Sequence, residues 1–158
     1  MRSSTKCIAL SGLVLALGLY AGVARAADAA AEVDARQAAM KGQGKDMTAI
    51  KAYIDGKGEL AAARTAGSDL VERIGKVPSL FPKGTSMTDL PGKSYARPVI
   101  WTEMDKFNAQ AKTAADKAKT LDTALKGGDM NAITTSFGDM GKNGCGGCHE
   151  PYREKKPS

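Results

Sequence analysis

The chain has 158 residues, 42% of them apolar, 25% charged and 5% aromatic. That length suits one domain, and the scarcity of aromatics argues against a β-sandwich. The formal charge of +6 comes without a basic run interleaved with aromatics, so no nucleic-acid surface is expected.

Residues 1–26 read as an export signal. Arg2 and Lys6 give a positive start, Ile8 to Val23 is an apolar run, and Ala24-Arg25-Ala26 is a small-x-small cleavage site. An uncleaved membrane anchor is the competing reading. The run is short for a bilayer span and wrongly flanked, so no stable membrane insertion is expected after cleavage. Cys7 precedes the apolar run and leaves with it. Loss of Arg2, Lys6 and Arg25 lowers Lys plus Arg from 23 to 20 against 17 Asp plus Glu, so the charge falls from +6 to +3. The expected destination is the bacterial periplasm. Residues 27–158 form the single remaining domain.

Four segments of that domain share a heptad-like stripe. The first carries Val33, Met40, Met47 and Ile54, with Arg36, Gln43 and Ile50 between them. The second carries Leu60, Ala63, Gly67, Leu70, Ile74 and Val77. In the third, Ile100, Met104, Phe107, Ala111, Ala114, Ala118, Leu121 and Leu125 step by four and three without a break. That predicts one helix of about 28 residues, a rod of roughly 42 Å, opened by Pro98 and closed by Gly127-Gly128. The fourth carries Met130, Ile133, Phe137 and Met140 behind the N-cap residue Asp129.

Gly56-Lys57-Gly58 and Gly127-Gly128 are short connections, which make neighbours antiparallel. The connection from Pro78 to Arg97 is long and must cross an end or edge of the molecule. The expected architecture is all-α: an antiparallel, up-down-up-down four-helix bundle. Arg36 and Gln43 occupy stripe positions where apolar residues belong. Either the stripe is loose and Arg36 snorkels to solvent, or the core holds something anionic, because a buried unpaired charge is costly.

The fourth segment runs into G-C-G-G-C-H-E-P-Y-R, which contains Cys145, Cys148 and the chain's single histidine, His149. Cys-x-x-Cys-His is the attachment motif of c-type haem. Two thiols add across the two porphyrin vinyl groups, and the next residue falls beneath the iron as an axial ligand. Zinc ligation and a thioredoxin-like redox pair are the alternatives. The first lacks a usual zinc scaffold, and the second expects a βαβ setting. Haem c, one per chain, is the cofactor expected.

With C-G-G-C-H-E-P-Y-R at its end, the chain resembles the class II cytochromes c: cytochrome c prime and its low-spin relatives. R-Q-A-A-M (Arg36 to Met40), A-R-P-V-I-W (Ala96 to Trp101) and L-F-P (Leu80 to Pro82) carry the same resemblance. It covers essentially the whole chain after the signal and implies the four-helix bundle argued above. It places Met40 on the distal side of the haem, opposite His149. In the low-spin branch a methionine there binds the iron. In cytochrome c prime an apolar residue usually walls an open position that takes nitric oxide or carbon monoxide. The resemblance also puts Gln37 beside the haem and gives Arg153 influence over the proximal histidine. Arg36, one turn before Met40, would then grip a haem propionate.

The leading expectation is a periplasmic electron carrier with His149 and Met40 as axial ligands. It would meet other redox proteins transiently, with a homodimer also open. The alternative is a five-coordinate protein that binds nitric oxide or carbon monoxide. A zinc-holding structural bundle is a third reading. An enzyme is not expected: no paired carboxylates share a stripe, and no phosphate loop is present.

Overall fold

The computed structural model describes residues 14–155, with side chains from residue 27 onward. The expected export signal therefore lies outside the described side chains, and residues 1–13 lie outside the described residues altogether. Six α-helices follow in order: α1 (Val14–Ile54), α2 (Leu60–Gly75), α3 (Val99–Thr102), α4 (Met104–Gly127), α5 (Met130–Asp139) and α6 (Gly147–Tyr152). A 3₁₀ turn spans Val77–Leu80, and a π-helical stretch, Met140–Gly146, joins α5 to α6.

The four long rods form the antiparallel bundle. α1 packs on α2, α2 on α4, α4 on α5, and α5 closes the ring on α1. Among the described residues no helix is long and apolar enough to cross a membrane. The stripes meet in a core whose Ile50, Leu70, Leu121, Leu125 and Ile133 are all fully buried. α2 and α4 approach closely at Gly67, where a Cβ would sit 2.7 Å from Leu125 Cδ1. Arg64 of α2 donates to the carbonyls of Leu125 and Lys126, at 2.9 and 3.0 Å. This places a cation at the C-terminus of α4, where the helix dipole favours one.

The helix ends follow local chemistry. Gly128 adopts φ +79° and its N–H bonds the Ala124 carbonyl, a left-handed C-cap that glycine adopts without strain. Asp129 accepts from the N–H groups of Asn131 and Ala132, capping α5 as expected.

One expectation needs correction, and the fourth helix has a change of its own. The third helix is not one rod: Glu103, at φ −126° and ψ 43°, breaks it into α3 and α4. Its apolar stripe nevertheless continues across the break, so periodicity alone could not reveal it. The fourth helix is not regular either, since its hydrogen bonds widen to the π pattern immediately before the cysteines.

The connection after α2 clasps the C-terminus rather than crossing free of it. Ala96 pairs with Arg153 in an antiparallel bridge. The Arg97 N–H donates to the Tyr152 carbonyl, and the Glu154 N–H donates to the Tyr95 carbonyl. A second apolar cluster of Val77, Ala96, Ile100, Phe107 and Ala111 forms at this end.

Candidate haem site

At that end α1, the clasping connection, α4 and the C-terminal segment enclose a cavity of about 440 Å³, a volume normal for a ligand site. Cys145, Cys148 and His149 all line it, and so do Arg36, Gln37, Met40 and Arg153. The seven residues expected at the haem thus line one space.

Two glycines let side chains pack close against the C-terminal wall. A Cβ on Gly144 would lie 2.6 Å from Met140 Cε, and one on Gly147 would collide with the Gln110 amide. The Gln110 side chain donates to the Asn143 carbonyl at 3.3 Å, fixing α4 against the π turn. The wider π turn brings Met140, Gly144 and Cys145 together onto the cavity wall, with Cys148 and His149 following on α6. Met140 is fully buried and belongs to the core cluster.

Cys145 and Cys148 are not bridged to each other. Burial raises the pKa of Cys145, and it pushes Cys148 up to about 11 with a further contribution from Cys145. Both are protonated at neutral pH. The His149 pKa is lowered, first by burial and then by the charge of Arg153. The imidazole is therefore neutral at pH 7, with a ring nitrogen free to coordinate. Arg153 is itself exposed at the cavity rim, and it acts on His149 through charge. Among the described residues no three His, Cys, Asp or Glu side chains converge as a metal cage.

On the α1 wall, Arg36 is only 5% exposed and does not snorkel. It donates to the Leu80 carbonyl (3.3 Å), the Thr85 hydroxyl (3.1 Å), the Thr85 carbonyl (2.9 Å) and the Ser94 hydroxyl (2.9 Å). Its guanidinium also lies 4.6 Å from the centre of the Phe81 ring. All these partners are neutral, and burial lowers its pKa. Gln37 donates to the Lys93 carbonyl at 2.7 Å. Met40 is half-buried and packs on the second apolar cluster.

The aromatics divide between the two clusters. Phe107 and Tyr152 line the cavity, their rings 5.2 Å apart edge to face, whereas Phe137 joins the main core. Trp101 donates its indole N–H to the carbonyls of Phe81 and Pro82, holding the connection. Phe81, Tyr95 and Ala96 also line the cavity. The sequence reading did not assign them to the site, because a Pro- and Gly-rich stretch has no periodicity to show which side chains turn inward.

A largely apolar cavity with two thiols and a neutral imidazole on one wall, and a buried cation on another, fits a haem. The sequence profile described as Cytochrome C' matches residues 31–153. The chain belongs to the cytochrome c′ family. Cytochrome c′ of Pararhodospirillum photometricum is 34% identical over 125 residues, covering 78% of this chain and 97% of that protein. A solved cytochrome c′ with a ligand-controlled dimer dissociation superposes with a TM-score of 0.74 at 27% identity, covering 80% of this chain and 97% of the other. A nitric oxide complex of a cytochrome c prime variant from Alcaligenes xylosoxidans gives a TM-score of 0.69 at 25% identity, covering 79% and 94%. As a cytochrome c′ family member the chain carries one covalent haem c, attached through Cys145 and Cys148.

Proposed function

We propose that this cytochrome leaves one axial position of its haem open to a diatomic ligand, with His149 on the other side and Met40 as wall. The observation that carries this reading is the packing of Met40 on the apolar cluster of Val77, Ala96, Ile100 and Phe107, the role in which methionine fills a wall. The nitric oxide complex of the Alcaligenes relative and the ligand response of the dimeric one support it. When bound, the haem supplies an iron that exchanges one electron or takes a small ligand. The chain's part is to hold a neutral His149 imidazole against it, to keep the cavity apolar, and to present the Arg36 cation and the Gln37 amide to the carboxylate edge. Arg36 has no carboxylate partner among the described residues, so a propionate is the anion that would compensate it.

The six-coordinate electron carrier, with Met40 as ligand and other redox proteins as transient partners, is the second reading. It is favoured by the presence of Met40 and His149 on one cavity. On either reading the protein binds and carries rather than turns over a substrate. It is exported to the periplasm after loss of residues 1–26; the family match begins at residue 31. A homodimer belongs to the same reading, drawn from the relative whose dimer responds to a ligand.

The deciding experiment is the visible spectrum of the holoprotein, oxidised and dithionite-reduced, before and after carbon monoxide. Broad high-spin bands that shift with the gas are expected. Sharp split bands on reduction, unmoved by the gas, would overturn the open position and make Met40 the ligand.

A further inference from the structure

The helix that carries His149 cannot hold itself. α6 has six residues, with Pro151 inside it. So short a helix is not stable alone, and the proline supplies no N–H. Its last four carbonyls, from His149 to Tyr152, depend on donors beyond the helix. The Arg153 N–H serves the His149 carbonyl at 3.1 Å. The Glu154 N–H would serve Glu150 if the helix continued, but it turns to the Tyr95 carbonyl at 2.8 Å.

Arg97 fills that gap from the connection after α2. Its backbone N–H donates to the Tyr152 carbonyl at 3.0 Å. Its guanidinium donates to the Glu150 carbonyl at 3.4 Å and to the Glu154 carboxylate at 3.1 Å. One residue thus bonds to three positions at the end of α6. Pro98 biases the residue before it toward extended backbone, which suits the bridge that Ala96 makes with Arg153. Arg97 does not itself line the cavity, so it reaches the site only through α6. The Arg97 and Glu154 side chains are both partly exposed, so their pairing adds little to folding stability. What such a bond can still do is fix the stance of a ligand-bearing segment, as partners behind a metal ligand do.

We propose that Arg97 is a positioning residue for the His149 imidazole: by bonding the Glu150 carbonyl and the Glu154 carboxylate, it closes the C-terminal end of α6 and holds the His149 segment against the connection. This inference rests on His149 as an axial ligand, which both readings of the far side share.

The test uses the holoprotein as wild type, Arg97→Met and Glu154→Gln. Two quantities are read: amide hydrogen exchange at Arg153 and Glu154, and the electron paramagnetic resonance line shape of the oxidised haem. Arg97→Met is expected to speed exchange at both amides roughly 1.4- to 5-fold, the range that an exposed ion pair confers. It should also broaden the haem lines, because a loosened imidazole samples more orientations. Glu154→Gln should act in the same direction but less, since the bond to Glu150 remains. The two substitutions change charge in opposite senses, so a field effect alone would move the reduction potential oppositely and leave the line shapes alone. Line shapes that stay unchanged in Arg97→Met, with or without faster exchange, overturn the proposal. A low-spin signal in the wild type would sink the open position instead, while the comparison of line shapes still decides the role of Arg97.

Discussion

Arg36 and Thr85 are joined twice, the guanidinium donating to the threonine hydroxyl at 3.1 Å and to its carbonyl at 2.9 Å. Ser94 closes the triangle, accepting from Arg36 and donating to the same Thr85 carbonyl at 2.8 Å. The buried cation of α1 thus supplies the donors that the connection after α2 needs to stay folded over the cavity. Replacing Arg36 with Met keeps the apolar stem and removes every donor. The expected loss is about 3 kcal/mol, because buried acceptors are left unpaired. Arg36→Lys should recover little, since one ammonium cannot serve acceptors arranged for a fork. Urea denaturation gives the loss. Limited proteolysis should show new cleavage around Lys83 and Lys93 in both variants; unchanged midpoints would mean that the clasp holds without Arg36.

Glycine-to-alanine exchange should change sign along the bundle. Gly44 lies within α1 with nothing within 4 Å of a Cβ built there, so Gly44→Ala is expected to stabilise by about 0.5–1 kcal/mol through helix propensity. Gly67→Ala meets Leu125 Cδ1 at 2.7 Å and should destabilise by about 1–3 kcal/mol through overpacking. Thermal unfolding of the two variants provides the comparison, and a stabilised Gly67→Ala would mean that α2 and α4 separate at little cost.

The heptad stripes made the bundle legible because burial of a helix face repeats with the helix itself. Val33, Leu70, Leu121 and Ile133 stand on those stripes and are fully buried. Cys145, Cys148 and His149 were legible for a different reason: their spacing is dictated by a cofactor. Phe81, Tyr95 and Ala96 were not, because the connection they belong to is ordered by long-range bonds from Arg36 and from the C-terminus. Periodicity also could not register the break at Glu103 or the π turn at Met140–Gly146, where the apolar positions continue while the backbone changes. Gln43 stood out on its stripe, and it lines the cavity.

Asp46 and Arg73 tie α1 to α2 at 3.0 Å, and the two partners should not respond alike. Asp46 is buried, and its pKa is raised, first by burial, against the opposing pull of Arg73. Asp46→Asn removes the desolvated charge and should cost less than about 1 kcal/mol. Arg73→Leu strands that charge and should cost about 2 kcal/mol. A raised folded pKa means the native state holds the proton more tightly. Stability linked to Asp46 is then fully present below its unfolded pKa and lost as pH rises through its folded value. The Arg73→Leu deficit relative to wild type should accordingly shrink on acidification from pH 7 toward 4. Chemical denaturation across that range tests this, and a deficit that grows on acidification would refute it.

Met40→Leu separates wall from ligand. As a wall residue in contact with the second apolar cluster, Met40 is replaced at nearly constant volume, and the cost should stay below about 1.5 kcal/mol. On the proposed open position, the visible spectrum of the holoprotein is expected to be high-spin both before and after the substitution. A spectrum that turns from low-spin to high-spin on substitution would show that the thioether had been bound.

The thiols give the last test, on the chain before haem attachment. Cys148 has a folded pKa of about 11, set by burial and then by Cys145, and the Cys145 pKa is raised as well. Only the thiolate is nucleophilic. Iodoacetamide should therefore modify Cys148 slowly at pH 7.5, and the rate should climb about tenfold per pH unit until it levels near 11. In urea the thiol returns to its ordinary range and levels about two units earlier. The linkage has a definite sign. With folded pKa values above the unfolded ones, the contribution to stability is complete below about pH 9 and is lost as pH rises through the folded values. The fold without haem should thus weaken between pH 9 and 11, as followed by circular dichroism. A thiol that reacts equally fast with and without urea would mean that the C-terminal wall opens when haem is absent, and that the glycine-shaped packing of Gly144 and Gly147 forms only around the bound group.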